Sequence, residues 1–212
     1  KQNTGILDIF DLYNFTVDEN LSVDVDLAVD PEILRKVFEN LLPENIKHEE
    51  APFYTPRSVV KYMCEQSLKR SIENKFENII SEAQINNLVE NENFQIENND
   101  EIKINAKELD KFLSEIKICD PAIGSGAFAV TFINIIVRIR SSLKNFLDKK
   151  YKTSNYYIKR DCIKNSIYGV DINKSAIEIS KLRLWLSLIV EENDYEKTEA
   201  LPNLDFKIIQ GN

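Results

Sequence analysis

Two carboxylates and two glycines stand where this sequence could do chemistry. Asp120 opens the run Asp120-Pro121-Ala122-Ile123-Gly124-Ser125-Gly126-Ala127-Phe128, and Asp171 closes the run Tyr168-Gly169-Val170-Asp171. Glycine lets a backbone approach a bound molecule closely, because no side chain stands between them. A helix opening at Ala127 would aim its first free N–H groups at the same place. A carboxylate beside such a turn can accept the two hydroxyls of a ribose. The plainer alternatives are a structural βα turn for the glycines and a helix N-cap for Asp171, a task open to Asn173 as well.

The elements that must position these residues can be read on either side of them. Ile116–Cys119 is a short apolar strand ending at Asp120, and Ala127 to Phe146 reads as a long helix. Ser166–Val170 is a second strand ending at Asp171. Lys174 to Glu191 is a second helix, apolar at Ile177, Leu182, Leu184, Trp185, Leu188 and Ile189, and Phe206–Gln210 is a third strand. Strand, helix, strand, helix, strand predicts a parallel sheet with right-handed crossovers. Asp120 and Asp171 then share the carboxyl edge of that sheet, where ligands of open α/β folds bind. Cys119, inside an apolar run, is expected in the core.

Two common nucleotide fingerprints do not fit. Gly124-x-Gly126-x-x-Ala129 satisfies a loose dinucleotide pattern, but the acidic residue of that unit should follow about 20 residues on, and Asp171 comes far later. A P-loop fails because no Gly-Lys-Ser/Thr occurs.

Upstream, Asp30-Pro31 fits an N-cap followed by a first-turn proline, with Ile33, Leu34, Val37, Phe38, Leu41 and Leu42 at helical spacing. Thr55-Pro56 opens another helix by the same capping logic, with Val59, Val60, Met63, Cys64 and Leu68 on one face. Residues 71–110, rich in Asn and Glu without glycine or proline, read as helical insertions joined by polar loops. The expected organisation is an N-terminal helical and extended segment over 1–52 and an α/β domain over 53–212, carrying a helical insertion at 71–115.

The composition is that of a globular chain, 43% apolar and 29% charged. No run of about 18 apolar residues suggests a membrane span. The net charge of −8 argues against a free-standing DNA-binding domain, since phosphate neutralisation supplies most of such a domain's affinity. Three scattered cysteines, with no Cys-x-x-Cys pair, and a single histidine give neither a metal site nor a disulfide framework and fit a reducing compartment. The first residues do not read as a signal peptide, and the missing initiator Met suggests a piece of a longer protein.

Asp-Pro-Ala-x-Gly-Ser-Gly-x-Phe at Asp120–Phe128 resembles motif I of the adenine-specific DNA methyltransferases. Phe53-Tyr54-Thr55-Pro56-Arg57 resembles their motif X, Tyr168-Gly169-Val170-Asp171-Ile172 their motif II, and Leu201 to Asn212 the run into motif III. The order X, I, II, III is that of the γ class. The Asp24 to Leu42 region and the Leu182-Arg183-Leu184-Trp185-Leu186-Ser187-Leu188 helix resemble type IIG restriction–modification enzymes in particular.

The resemblance implies the first three parallel strands of a Rossmann-like class I methyltransferase sheet with an N-terminal helical appendage. It implies S-adenosyl-L-methionine as cofactor: Tyr54, Thr55 and Pro56 lining its methionine end, Asp120, Ala122, Gly124 and Gly126 cradling the methionine part, Asp171 on the ribose, Ile172 on the adenine ring and Asn212 at the adenine amino group. The family's catalytic Asn/Asp-Pro-Pro-aromatic motif would follow the third strand, beyond Asn212, so no catalytic residue is named and the chain alone is expected to be inactive. DNA would be engaged through parts of a parent protein, in bacterial or archaeal cytoplasm, without a membrane. An unpaired edge on the first strand gives an expectation of self-association. Two other readings stand beside this one: a class I methyltransferase acting on RNA or protein, and a non-catalytic binding module of the same fold.

Overall fold

The computed structural model describes residues 55–147, 154–189 and 202–212. The chain divides into Lys1–Phe53 and Tyr54–Asn212, and all described residues belong to the second unit. Tyr54, the expected helix after Asp30 and the rest of the N-terminal segment lie outside them.

Three strands, β1 (Ile118–Asp120), β2 (Ile167–Asp171) and β3 (Ile208–Gln210), form a parallel sheet in the order β1-β2-β3. Ile118 pairs with Ile167 and Asp120 with Gly169, while Gly169 pairs with Ile208 and Asp171 with Gln210. The α/β expectation therefore holds, and β2 and β3 lie on one side of β1. In chain order the helices are α1 (Arg57–Lys75), α2 (Glu82–Glu90), α3 (Asp100–Ile104), α4 (Ala106–Glu115), α5 (Ala127–Leu143), α6 (Asn155–Asn165) and α7 (Lys174–Ile189).

Side chains of a strand alternate between faces, and here the alternation divides a covered face from an open one. Ile167, Gly169 and Ile208 point into the core beneath the helices. Cys119, Tyr168, Val170 and Ile209 take the other face, where Cys119 is exposed and Ile209 is 44% exposed. On that face the Lys207 ammonium lies 4.2 Å from the centre of the Tyr168 ring. The core position expected for Cys119 is thus wrong. An apolar three-residue strand has two faces, and the helices that contact the sheet cover the one Cys119 avoids.

A thiol-labelling experiment checks this directly. Cys64 and Cys162 are buried, and burial pushes their thiols up to about 12 and about 11, so little thiolate is available to react. A disulfide reagent at neutral pH should take up one prompt equivalent, lost in Cys119→Ser, and two more only on unfolding. Three equally slow thiols would show Cys119 to be covered.

Between residues 71 and 115 the end of α1 is followed by α2, α3 and α4, joined by turns. Ile72, Ile85, Leu88, Ile96, Ile102, Leu109 and Leu113 are fully buried, so the helices α2 to α4 contribute to the core. Arg138 of α5 donates to the carbonyls of Leu88, Val89 and Asn91 at the end of α2, and Arg140 pairs with Asp110 of α4 at 2.8 Å. The Arg138 guanidinium satisfies carbonyls that a helix end leaves without partners.

Two details of α1 correct the sequence reading. Its N-cap is Pro56 and no side chain caps it. Instead the Pro56 carbonyl accepts from Val59 N and Val60 N, so Thr55 lies one position too early to cap. Its buried face is Val60, Cys64 and Leu68, whereas Val59 and Met63 are exposed. In α7, likewise, Ile177, Leu184 and Leu188 are buried while Leu182 and Trp185 are exposed. No helix among the described residues is long and apolar enough to cross a membrane.

Candidate functional site

The turn between β1 and α5 is held in place by its own backbone. Gly124 and Gly126 have φ of 52° and 81°, left-handed values that side chains disfavour. Gly126 N donates to the Ile123 carbonyl at 2.8 Å, and Ile123 N donates to the Val170 carbonyl of β2 at 2.9 Å. Ile123 is buried directly over Gly169, where an added Cβ would stand 3.0 Å from the Ile123 Cβ. The absence of a side chain on β2 is what allows the turn to fold back onto the sheet. At Gly124 an added Cβ would find its nearest neighbour at 3.9 Å, the Ala122 carbonyl oxygen, so the turn is open on that side.

The two carboxylates bracket this turn. Asp120 Oδ1 accepts from Ala122 N at 3.1 Å, while Asp120 Oδ2 is buried and has no hydrogen-bond partner among the described residues. Burial raises the Asp120 pKa above its ordinary value; the Ala122 N–H opposes that, and the charge of Asp171 adds to it. Asp171 Oδ2 accepts from Gly124 N at 2.8 Å, and Oδ1 accepts from Asn173 N at 2.9 Å. The capping of α7 falls to Asn173, whose Oδ1 accepts from Ser175 N at 2.8 Å and Ala176 N at 3.3 Å. Asp171 is therefore not the cap. It ties the glycine turn to the end of β2, and each of its oxygens keeps further acceptor capacity.

The end of β3 closes one side. Gly211 N donates to the Asp171 carbonyl at 2.9 Å, and the Gln210 side chain donates to the Ile172 carbonyl at 2.9 Å. Ile172 is 63% exposed beside this junction, and Asn212 is exposed. Asp120, Ala122, Gly124, Gly126, Asp171 and Ile172 thus gather at the carboxyl ends of the strands, with Gly211 and Asn212 adjoining them. Among the described residues, neither Thr55 nor Pro56 is hydrogen-bonded to the turn. Helix α1 meets the start of α5 through Cys64, whose thiol donates to the Phe128 carbonyl at 3.7 Å and whose pKa is raised first by burial and then by the Asp120 charge.

Sequence reading missed three neighbours of the turn: Ser180, Arg183 and Gln210. Ser180 is fully buried against Gly126, and the Arg183 guanidinium reaches Ser125 Oγ at 3.5 Å. A lone cation in the apolar run Leu182-Arg183-Leu184-Trp185 was the available signal for one of them.

Chemically the site has an unsatisfied carboxylate oxygen, a second carboxylate at a neighbouring strand end and a backbone cradle with room over Gly124. Such a set of acceptors suits a ligand carrying a cation and adjacent hydroxyls. The family described as MmeI, DNA-methyltransferase domain, matches residues 93–209. A protein of Methanocaldococcus jannaschii named "Putative type II restriction enzyme and methyltransferase" is 31% identical over 222 residues, covering 98% of this chain and 18% of that protein. The chain therefore spans less than a fifth of that relative.

Proposed function

We propose, from the premise that this chain belongs to the family of the MmeI DNA-methyltransferase domain, that it is the S-adenosyl-L-methionine-binding segment of an adenine-N6 DNA methyltransferase of a restriction–modification system. The observation that carries the proposal is the buried, unpartnered Oδ2 of Asp120 next to a left-handed glycine turn. A buried acceptor without a donor costs free energy, and the ammonium group of a methionine moiety would satisfy it. The residues fit the remainder of the cofactor as well. Gly124 and Gly126 leave the backbone open to the methionine chain, Asp171 has acceptor capacity for two ribose hydroxyls, and exposed Ile172 offers an apolar surface to an adenine ring.

When bound, S-adenosyl-L-methionine supplies an electrophilic methyl group on a sulfonium centre. This chain's residues bind and orient it: Asp120 by charge, the glycine turn by shape, Asp171 by hydrogen bonds to the sugar. Such positioning accounts for a large part of the rate in a transfer between two bound partners. Tyr54, Thr55, Pro56 and Asn212 would extend the site at the methionine and adenine ends. The parallel order β1-β2-β3 supports reading these strands as the first three of a Rossmann-like class I methyltransferase sheet, and contacts to DNA and to the target base would fall to the parent protein. The 212 residues contain no Asn-Pro-Pro-aromatic sequence, so the chain should bind cofactor without transferring its methyl group. The edge position of β1 in the sheet supports self-association of the isolated chain.

Titration of the chain with S-adenosylhomocysteine tests the proposal. Asp171→Ala should weaken binding at least about tenfold, as expected for loss of a charge-assisted acceptor. A cofactor analogue lacking the ribose hydroxyls should lose as much against the wild type. An analogue that binds like the parent compound would leave Asp171 as a tie for the turn alone. A wild-type chain with no affinity would overturn the whole reading.

A further inference from the structure

We infer that Arg183, in the third turn of α7, is a positioning residue for the glycine turn, acting through Ser125; as a statement about cofactor binding this rests on the function proposed above. A guanidinium is costly to bury unless its hydrogen bonds are used. Arg183 is only 9% exposed, in a helix whose neighbouring core residues Leu184 and Leu188 are almost completely buried. Its Nη1 donates toward Ser125 Oγ, the side chain between the two left-handed glycines.

One helical turn earlier, Ser180 meets the other half of the same turn. A Cβ on Gly126 would stand 3.2 Å from the Ser180 Cβ and 3.4 Å from its Cα. The Ser180 hydroxyl donates back to the Ile177 carbonyl at 2.8 Å, so Ser180 contributes small size rather than a bond to the turn. Residues three apart on a helix share a face. That face of α7 presses on Gly126 with Ser180 and holds Ser125 with Arg183. The N-terminal end of α7 is joined to the same turn through Asp171, which accepts from both Asn173 N and Gly124 N. The turn is thus fixed from β2 at Ile123, from the Asp171 carboxylate at Gly124, and from α7 at Ser125 and Gly126. Of these ties, Ser180's is a contact of small size, and among the described residues the hydrogen bond to Ser125 is the one made by a side chain that has no place in the binding site itself. Arg183 sets the position of the turn's backbone without touching the ligand.

The test compares wild type, Arg183→Gln, Ser125→Ala and the double variant in the full 212-residue chain. Hydrogen exchange is followed over residues 120–128, whose Ile123, Gly124 and Gly126 amides are hydrogen-bonded, and S-adenosylhomocysteine affinity is measured alongside. Each single variant should speed exchange in the turn and weaken binding about tenfold, as for loss of a charged hydrogen bond. The double variant should be no worse than the poorer single, because both remove one interaction. A residue that merely supports the fold would lower the melting temperature and add its effect to that of Ser125→Ala. Additive losses, or unchanged exchange in the turn, would overturn the inference. If Arg183→Gln does not fold, Ser125→Ala decides alone: faster exchange upholds the tie and unchanged exchange removes it. A wild-type chain that does not bind the probe sinks the proposed function, while the exchange data still judge Arg183.

Discussion

Asp120→Asn should raise the melting temperature of the chain by a few degrees while weakening its affinity for S-adenosyl-L-methionine at least about tenfold. The opposite signs come from one atom. Asp120 Oδ2 is buried without a partner, and the neighbouring Asp171 is a second carboxylate. An amide of the same shape keeps the bond from Ala122 N and removes a buried charge that this one N–H only partly offsets. The same amide would turn a donor toward the cofactor's ammonium group, where an acceptor is required. Binding sites that trade stability for function in this way are common. The pH dependence follows from the raised pKa of Asp120. A carboxyl that titrates above its ordinary value of 3.8 binds more protons in the folded state. Its contribution to stability is full below that value and is lost as pH rises through the raised one. The substituted amide does not titrate, so the variant's lead should be greatest at neutral pH and shrink as pH falls toward 3.8. Thermal melts at several pH values, with calorimetric titration of cofactor, measure both effects. A variant less stable than wild type at neutral pH, or equal to it in affinity, would show that Oδ2 is neither strained nor a ligand contact.

The strand ends were legible because chemistry and chain direction coincide there. Asp120 and Asp171 each close a short apolar run, and a parallel sheet puts both on one edge, as the register confirms. The long helix after Gly126 was equally plain from its apolar run. Periodicity could not say which side of an element would be covered. Cys119 alternates correctly along β1 but faces away from the helices, and the apolar stripe of α1 is split between buried Cys64 and exposed Met63. The division of labour after β2 was also invisible. Asp171 and Asn173 are both competent caps by residue type, and only the hydrogen bonds assign the helix to Asn173 and the turn to Asp171. Contacts distant in sequence were the least readable, such as Arg183 on Ser125 or Arg138 on the end of α2.

Gly169→Val should lower the melting temperature by several degrees and weaken cofactor binding, although valine favours strands more than glycine does. Propensity predicts a gain here because Gly169 lies in the middle of β2, paired on both sides. Packing predicts a loss. Ile123 lies over this glycine so closely that an added Cβ would stand 3.0 Å from its Cβ and 3.1 Å from its Cγ1. A branched side chain would enlarge that conflict, and Ile123 cannot simply rotate away, because its Cβ is fixed by the backbone. Overpacking of a tight core site costs about 1–3 kcal/mol, which exceeds the strand propensity range of about 1 kcal/mol. The displaced element would be the turn itself, since Ile123 N is bonded to the Val170 carbonyl and Gly124 N to Asp171. Binding should therefore fall together with stability. Trimming the neighbour gives the decisive comparison: Ile123→Ala alone loses core packing, but combined with Gly169→Val it removes the Cγ1 and Cδ1 part of the clash and leaves only the approach of the two Cβ atoms. The double variant should melt above Gly169→Val alone, a coupling of the sign expected for residues in direct contact. A single variant as stable as wild type, or a double variant with simply additive losses, would mean that Ile123 does not need the space above Gly169.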